Sequence, residues 1–143
     1  MSEPLTRADF QCFYPLTTRW SDNDLYGHVN NVIYYAYFDS VVNRYLIEEG
    51  GLDIHDGDIV GFVVNSGCDY FAPISYPECI EGGLRVEKLG NSSVRYGIGI
   101  FRQGSDEAVA KGHFVHVFVE RAANKPVAIP ARLRAALEAI VAG

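Results

Sequence analysis

Cysteine is scarce in these 143 residues: there are three, Cys12, Cys68 and Cys79, far apart and odd in number. They form no C-x-x-C pair and no metal-ligand spacing, so no disulfide framework and no metal site is expected. A reducing compartment, the cytoplasm, is the simplest reading. No apolar stretch reaches about 18 residues, which excludes a bilayer-spanning helix. Residues 1–7 hold no basic stretch followed by an apolar run, so no signal peptide is expected. Positive charge is also short, with 12 Lys and Arg against 18 Asp and Glu, a net of −6. That argues against nucleic-acid binding, which needs a basic face. It leaves room for an anionic small ligand, which needs only a few local cations or a helix N-terminus. Repeats, low-complexity tracts and linkers are missing too. One domain spanning 1–143 is expected, with residues 1–11 as a loosely held arm.

What is present is an ordinary folded composition, 48% hydrophobic and 21% charged. Residues 12–20 read as a strand, rich in aromatic and β-branched side chains and ending at Ser21-Asp22-Asn23-Asp24. From 29 to 49 there is neither glycine nor proline, and Gly50-Gly51 then supplies a stop signal. The spacing predicts one helix of about five turns. Its first half, Val32 to Phe38, is apolar or aromatic on all sides, which predicts a surrounded helix. Strands follow at 60–71, 81–89, 92–102 and 109–121, with a short helix over 130–141 that Pro130 can start. Within the last long strand, Phe114, His116 and Phe118 face one way and Val115, Val117 and Val119 the other.

This order predicts an α+β fold, a curved antiparallel sheet of about five strands wrapped around one long helix. The four later strands are expected to pair as meander neighbours, with the first joining elsewhere. Apolar residues on both faces of several strands suggest a covered outer face, hence self-association.

The chemistry concentrates in Arg19-Trp20-Ser21-Asp22-Asn23-Asp24-Leu25-Tyr26-Gly27-His28-Val29-Asn30-Asn31, where the strand ends and the helix starts. Free backbone N–H groups at a helix start carry the positive end of its dipole. A carbonyl oxygen placed on them is polarised, and an oxyanion is stabilised by about 2.7–4 kcal/mol per donor. A nearby carboxylate can act as general base on water or attack the carbonyl itself. Acyl transfer to water suits this arrangement.

The string Asp22-x-Asp24-x-x-Gly27-His28-Val29-Asn30-Asn31-x-x-Tyr34 resembles the 4-hydroxybenzoyl-CoA thioesterase-like branch of the hotdog superfamily, and most nearly its long-chain acyl-CoA thioester hydrolases. Phe62-Val63-Val64-Asn65, Tyr70-Phe71-Ala72-Pro73 and Gly90-x-Ser92-Ser93 extend the likeness over roughly residues 12–121. The resemblance implies a hotdog-fold acyl-CoA thioesterase with no metal and no cofactor. It implies a homodimer or homotetramer with the active site at the subunit interface. It assigns Asp24 as the catalytic aspartate, the Asn31 N–H as the group that polarises the thioester carbonyl, and Gly27 as the glycine that makes room at the turn. The family's glutamate on the helix corresponds to Asp39. Val41 and Val42 stand where the family often has Ala and Arg.

Other readings stay open beside these. Asp22 reads as a turn or cap residue. The start of a calcium loop is excluded, since the fifth and twelfth loop positions would be Tyr26 and Ile33. His28 positions substrate or water, or only bonds the helix start. Tyr34 packs in the core or lines an acyl pocket, and Asn65 needs a hydrogen-bond partner and points towards the active site. Arg95, with Asn91, Ser92 and Ser93, holds CoA phosphates or forms a solvated strand edge. His113 and His116 are three apart on a strand and cannot share a metal. Two further functions remain: hydration or dehydration of an enoyl or hydroxyacyl thioester, and non-catalytic binding of an acyl thioester.

Overall fold

The computed structural model describes residues 5–142. The elements in chain order are β1 (Cys12–Thr17), α1 (Ile33–Glu48), β2 (Ile59–Tyr70), β3 (Cys79–Leu89), β4 (Ser93–Arg102), β5 (Ala108–Glu120), the two-residue β6 (Lys125–Pro126) and α2 (Ala131–Glu138). Short 3-10 turns at Arg7–Asp9 and Trp20–Asp22 flank β1. The residues expected to extend β1 to position 20 instead enter that second turn.

All sheet pairing is antiparallel, in the order β1-β3-β4-β5-β2, with β6 on β5. The four later strands therefore do not form one meander. β3, β4 and β5 do, but β2 crosses over to pair with β5. Residues 71–78 carry the chain from β2 on the free edge back to β3, so sequence neighbours are not sheet neighbours.

Helix α1 lies on the inner face of the curved sheet. Its buried residues are Tyr34, Tyr37, Phe38, Val41, Val42, Tyr45 and Leu46, spaced by threes and fours as one helical stripe. Each such burial stabilises by about 1.5–3 kcal/mol. The expectation of a helix enclosed on every side does not hold within one chain. Tyr35 is 37% exposed, and Val32, just before the helix, is 71% exposed. One sheet covers one stripe, so the opposite face stays open. The helix stops as the glycine pair predicts: Gly51 takes a positive φ of 70°, and the Leu52 N–H returns to the Leu46 carbonyl at 3.0 Å.

On the inner face, Gly112 lies beneath the Phe38 ring, where an added Cβ would overlap it. On the outer face, Phe10 packs with Phe101 and Ala108 as a second small cluster. Residues 7–10, expected to belong to a loose arm, are thus fixed. Phe10 is 6% exposed, and Arg7 bonds Glu81 at 2.6 Å and the Ser105 carbonyl at 2.6 Å. Of that expected arm, residues 1–4 lie outside the described residues.

Candidate active site

The helix was expected from residue 29, but α1 begins at Ile33. Two of the intervening N–H groups are committed elsewhere. Val29 N–H donates to the Ile74 carbonyl at 2.8 Å, and Asn30 N–H to the Asp22 carbonyl at 2.9 Å. The chain from 22 to 32 is therefore a built loop rather than a first helical turn.

Asp22 is its buried foundation. Its carboxylate is 0% exposed and accepts from Arg19 N–H at 2.9 Å, Arg19 Nε at 3.0 Å and the Tyr37 hydroxyl at 2.8 Å. Burial works to raise its pKa, but these hydrogen bonds and the guanidinium outweigh it and hold the group below the ordinary range. Arg19 and Tyr37 leave Asp22 no role with substrate.

Asp24 is placed differently. Its own N–H donates to the His28 carbonyl at 2.9 Å, and its carbonyl accepts Gly27 N–H at 3.0 Å, closing a turn. Gly27 supplies the positive φ of 83° that this turn requires. The half-exposed Asp24 carboxylate accepts Tyr26 N–H on Oδ1 at 2.9 Å and the Asn30 amide on Oδ2 at 3.3 Å. A carboxylate has about four lone-pair positions, so one on each oxygen stays available.

Residues 72–78 brace the loop from the side. Ser75 Oγ donates to the Gly27 carbonyl at 2.8 Å, and Tyr76 N–H to Asn23 Oδ1 at 3.0 Å. Arg102 holds this brace by donating to Glu78 at 2.6 Å and to the Pro73 carbonyl. Burial works to raise the pKa of Glu78, but its bonds from Arg102 and Ser75 N–H, with the positive charge of Arg102 and His28, hold it low.

A cavity of about 610 Å³ opens above the loop. It is lined by Asp24, His28, Asn31 and Tyr34, and on its far side by Tyr70 to Pro73. Among the described residues nothing accepts from the Asn31 N–H. The cavity therefore offers an oriented carboxylate, an unspent backbone donor and a histidine around one space. That set can polarise a carbonyl and deliver water, or a carboxylate oxygen, to it.

Other expected site residues are not brought here. A bulge between Val63 and Asn65 turns Asn65 to the outer face, where it bonds His113 at 3.0 Å rather than pointing at Asp24. Arg95 is also on that face, bonded to Glu87 at 2.9 Å. Asn91 and Ser92 sit in the β3–β4 turn. Their carbonyls accept from Ile129 at 3.0 Å and Phe118 at 2.8 Å, and the Ser93 carbonyl closes the turn on Gly90 N–H at 2.8 Å. None of these five lines this cavity. Asp39 is on the open face of α1, with its pKa raised by desolvation. Asn30 and Tyr70 stand in the motifs that carry the resemblance, which gives neither of them a role; the Asn-Asn doublet is a visible polar signal at the loop's end. Among the described residues no group of three or more His, Cys, Asp or Glu is placed to hold a metal.

Comparison with known proteins bears on this geometry. The model of the family described as "Thioesterase-like superfamily" matches residues 18–137. The crystal structure of the PA5185 protein from Pseudomonas aeruginosa superposes with a TM-score of 0.97 at 57% identity, covering 99% of both chains. A 1,4-dihydroxy-2-naphthoyl-CoA thioesterase from Synechocystis superposes at 0.79 with 19% identity, over 87% of this chain and 93% of that one. A gentisyl-coenzyme A thioesterase superposes at 0.79 with 23% identity, over 88% and 99%. At such identities these two likenesses speak for the shared hotdog fold.

Proposed function

Because this chain belongs to the thioesterase-like superfamily, we propose that it hydrolyses an acyl-CoA thioester to a free carboxylic acid and CoA at the cavity above Asp24. The observation that carries this reading is the pairing of a carboxylate with spare lone pairs and an unspent Asn31 N–H on one space. The names of the Synechocystis and gentisyl-CoA enzymes support an acyl-CoA as the substrate class.

In this mechanism the thioester carbonyl oxygen accepts the Asn31 N–H. Asp24 then takes a proton from an attacking water, or its oxygen attacks the carbonyl carbon to form a mixed anhydride that water cleaves. Either way the carbonyl becomes an oxyanion held on the Asn31 N–H, the C–S bond breaks and CoA thiolate leaves. Gly27 keeps the turn open, His28 orients water or substrate, and Tyr34 forms an acyl-facing wall. Asn65, Asn91, Ser92, Ser93 and Arg95 lie outside this cavity of the single chain.

The proposal includes a homodimer or homotetramer with the site at the subunit boundary. Its support is the free edge of β2, with Phe62 at 58% and Val64 at 55% exposed. A long apolar edge strand left open invites pairing with another chain. A cytoplasmic location is proposed from three free cysteines. No helix among the described residues is long and apolar enough to cross a membrane.

The test is thiol release from short, long and aromatic acyl-CoAs. The reading expects release from at least one class, with the free acid in equal amount. Acyl-CoA binding without thiol release would sink it. Enoyl-CoA turnover with the thioester intact would point to hydration instead.

A further inference from the structure

The Asn31 N–H can serve as an oxyanion donor only if its direction is fixed before substrate arrives. Three bonds do this without using the N–H itself. The peptide unit joining Asn31 to Val32 is held at both ends: its carbonyl accepts the Tyr70 hydroxyl from β2 at 3.0 Å, and its N–H donates to Asn30 Oδ1 at 3.0 Å. The preceding unit is held at its carbonyl, since Asn30 C=O accepts Ile33 N–H at 2.9 Å. A planar peptide fixed at two points cannot rotate about its long axis.

The local helix geometry makes the first bond available. In a regular α-helix the Asn31 carbonyl would accept the Tyr35 N–H. Here Tyr35 N–H turns to the Val32 carbonyl at 3.2 Å, a tighter 3-10 contact. The Asn31 carbonyl is thereby released to Tyr70, whose ring meets Tyr34 edge-on at 5.0 Å. The same Asn30 side chain that takes Val32 N–H donates its amide to Asp24 Oδ2 at 3.3 Å. One side chain therefore bonds both the carboxylate and the peptide that follows the backbone donor.

We propose that Asn30 and Tyr70 are positioning residues: they clamp the Asn31–Val32 peptide at two points and, through the Asn31 Cα it shares with the Asn30–Asn31 peptide, restrict the carbonyl-polarising N–H of that preceding unit relative to Asp24. This rests on the hydrolytic reading for its consequence, but not for its structural content. The clamp predicts loss in kcat rather than in KM, because a misdirected donor weakens the transition state more than substrate binding.

The experiment compares wild type, Tyr70→Phe and Asn30→Ala. It uses the acyl-CoA that wild type cleaves fastest, together with backbone ¹⁵N relaxation of the Asn31 amide in free protein. Tyr70→Phe keeps the ring against Tyr34 and removes only the hydroxyl. The expected result is a fall in kcat of roughly tenfold or more with KM within about twofold. The Asn31 order parameter should fall from about 0.85 towards 0.6 or lower in both variants. An unchanged order parameter overturns the clamp whatever the activity. A lowered order parameter with unchanged kcat overturns its positioning role. If wild type cleaves no acyl-CoA, the hydrolytic reading fails separately, and the relaxation data alone decide the clamp.

Discussion

Asp22 and Asp24 are two positions apart and chemically identical, yet their surroundings separate them. Asp22 spends its carboxylate on Arg19 and Tyr37 in the interior, while Asp24 keeps lone pairs facing a cavity. A similar sorting by burial applies to the histidines. His116 is 3% exposed, shares a 3.0 Å hydrogen bond with the Tyr96 hydroxyl, and is pushed down to about 4 by burial. Its folded value lies below its unfolded one, near 6.5, so its neutral form stabilises the fold above about pH 6.5. That contribution, roughly 3 kcal/mol at 1.36 per unit, is lost as pH falls from 6.5 to about 4. Urea unfolding across this window should show stability rising with pH in wild type. The slope should be shallower in His116→Gln, which keeps a hydrogen-bonding side chain beside Tyr96. An identical slope in both proteins would assign the titration to another group.

At the level of elements, helix α1 was legible because 29–49 holds no glycine or proline and Gly50-Gly51 follows. Its first turn was not, because the N–H groups of Val29 and Asn30 pair with Ile74 and Asp22, contacts across 45 and 8 residues of sequence. Composition near a helix start does not reveal which long-range acceptor takes an N–H. The alternation of Phe114, His116 and Phe118 was readable, and these residues are buried. The flip of Asn65 was not, because it follows from one bulge residue in β2 that periodicity does not mark. Packing of α1 on the sheet depends on Gly112 beneath Phe38, so Gly112→Ala should force the ring or helix to shift. Overpacking of this kind costs about 1–3 kcal/mol, measurable as a lower urea midpoint at unchanged slope. Wild-type stability in this variant would mean the Phe38 contact is easily relieved.

For the whole molecule, the α+β class and the single long helix followed from the order of patterns. The strand order did not, since pairing β2 with β5 rather than β3 is a long-range choice. That choice leaves β2 on the edge with Phe62, Val63 and Val64 exposed, and it places Tyr70, at the strand's end, beside the helix start. If the edge joins subunits, Phe62→Asp combined with Val64→Lys should reduce the mass measured by sedimentation equilibrium to that of one chain. An unchanged oligomer would place the interface elsewhere.

The central claim is that Asp24 performs chemistry at this cavity. Asp24→Asn keeps the shape, and its side-chain oxygen can still accept the Tyr26 N–H, but the negative charge is removed. The direct measurement is kcat/KM for thiol release by wild type and Asp24→Asn, with both proteins shown to be folded. A fall of roughly a hundredfold or more is predicted, the scale of a lost base or nucleophile. Equal activity in the two proteins would contradict the account and move the chemistry to another residue.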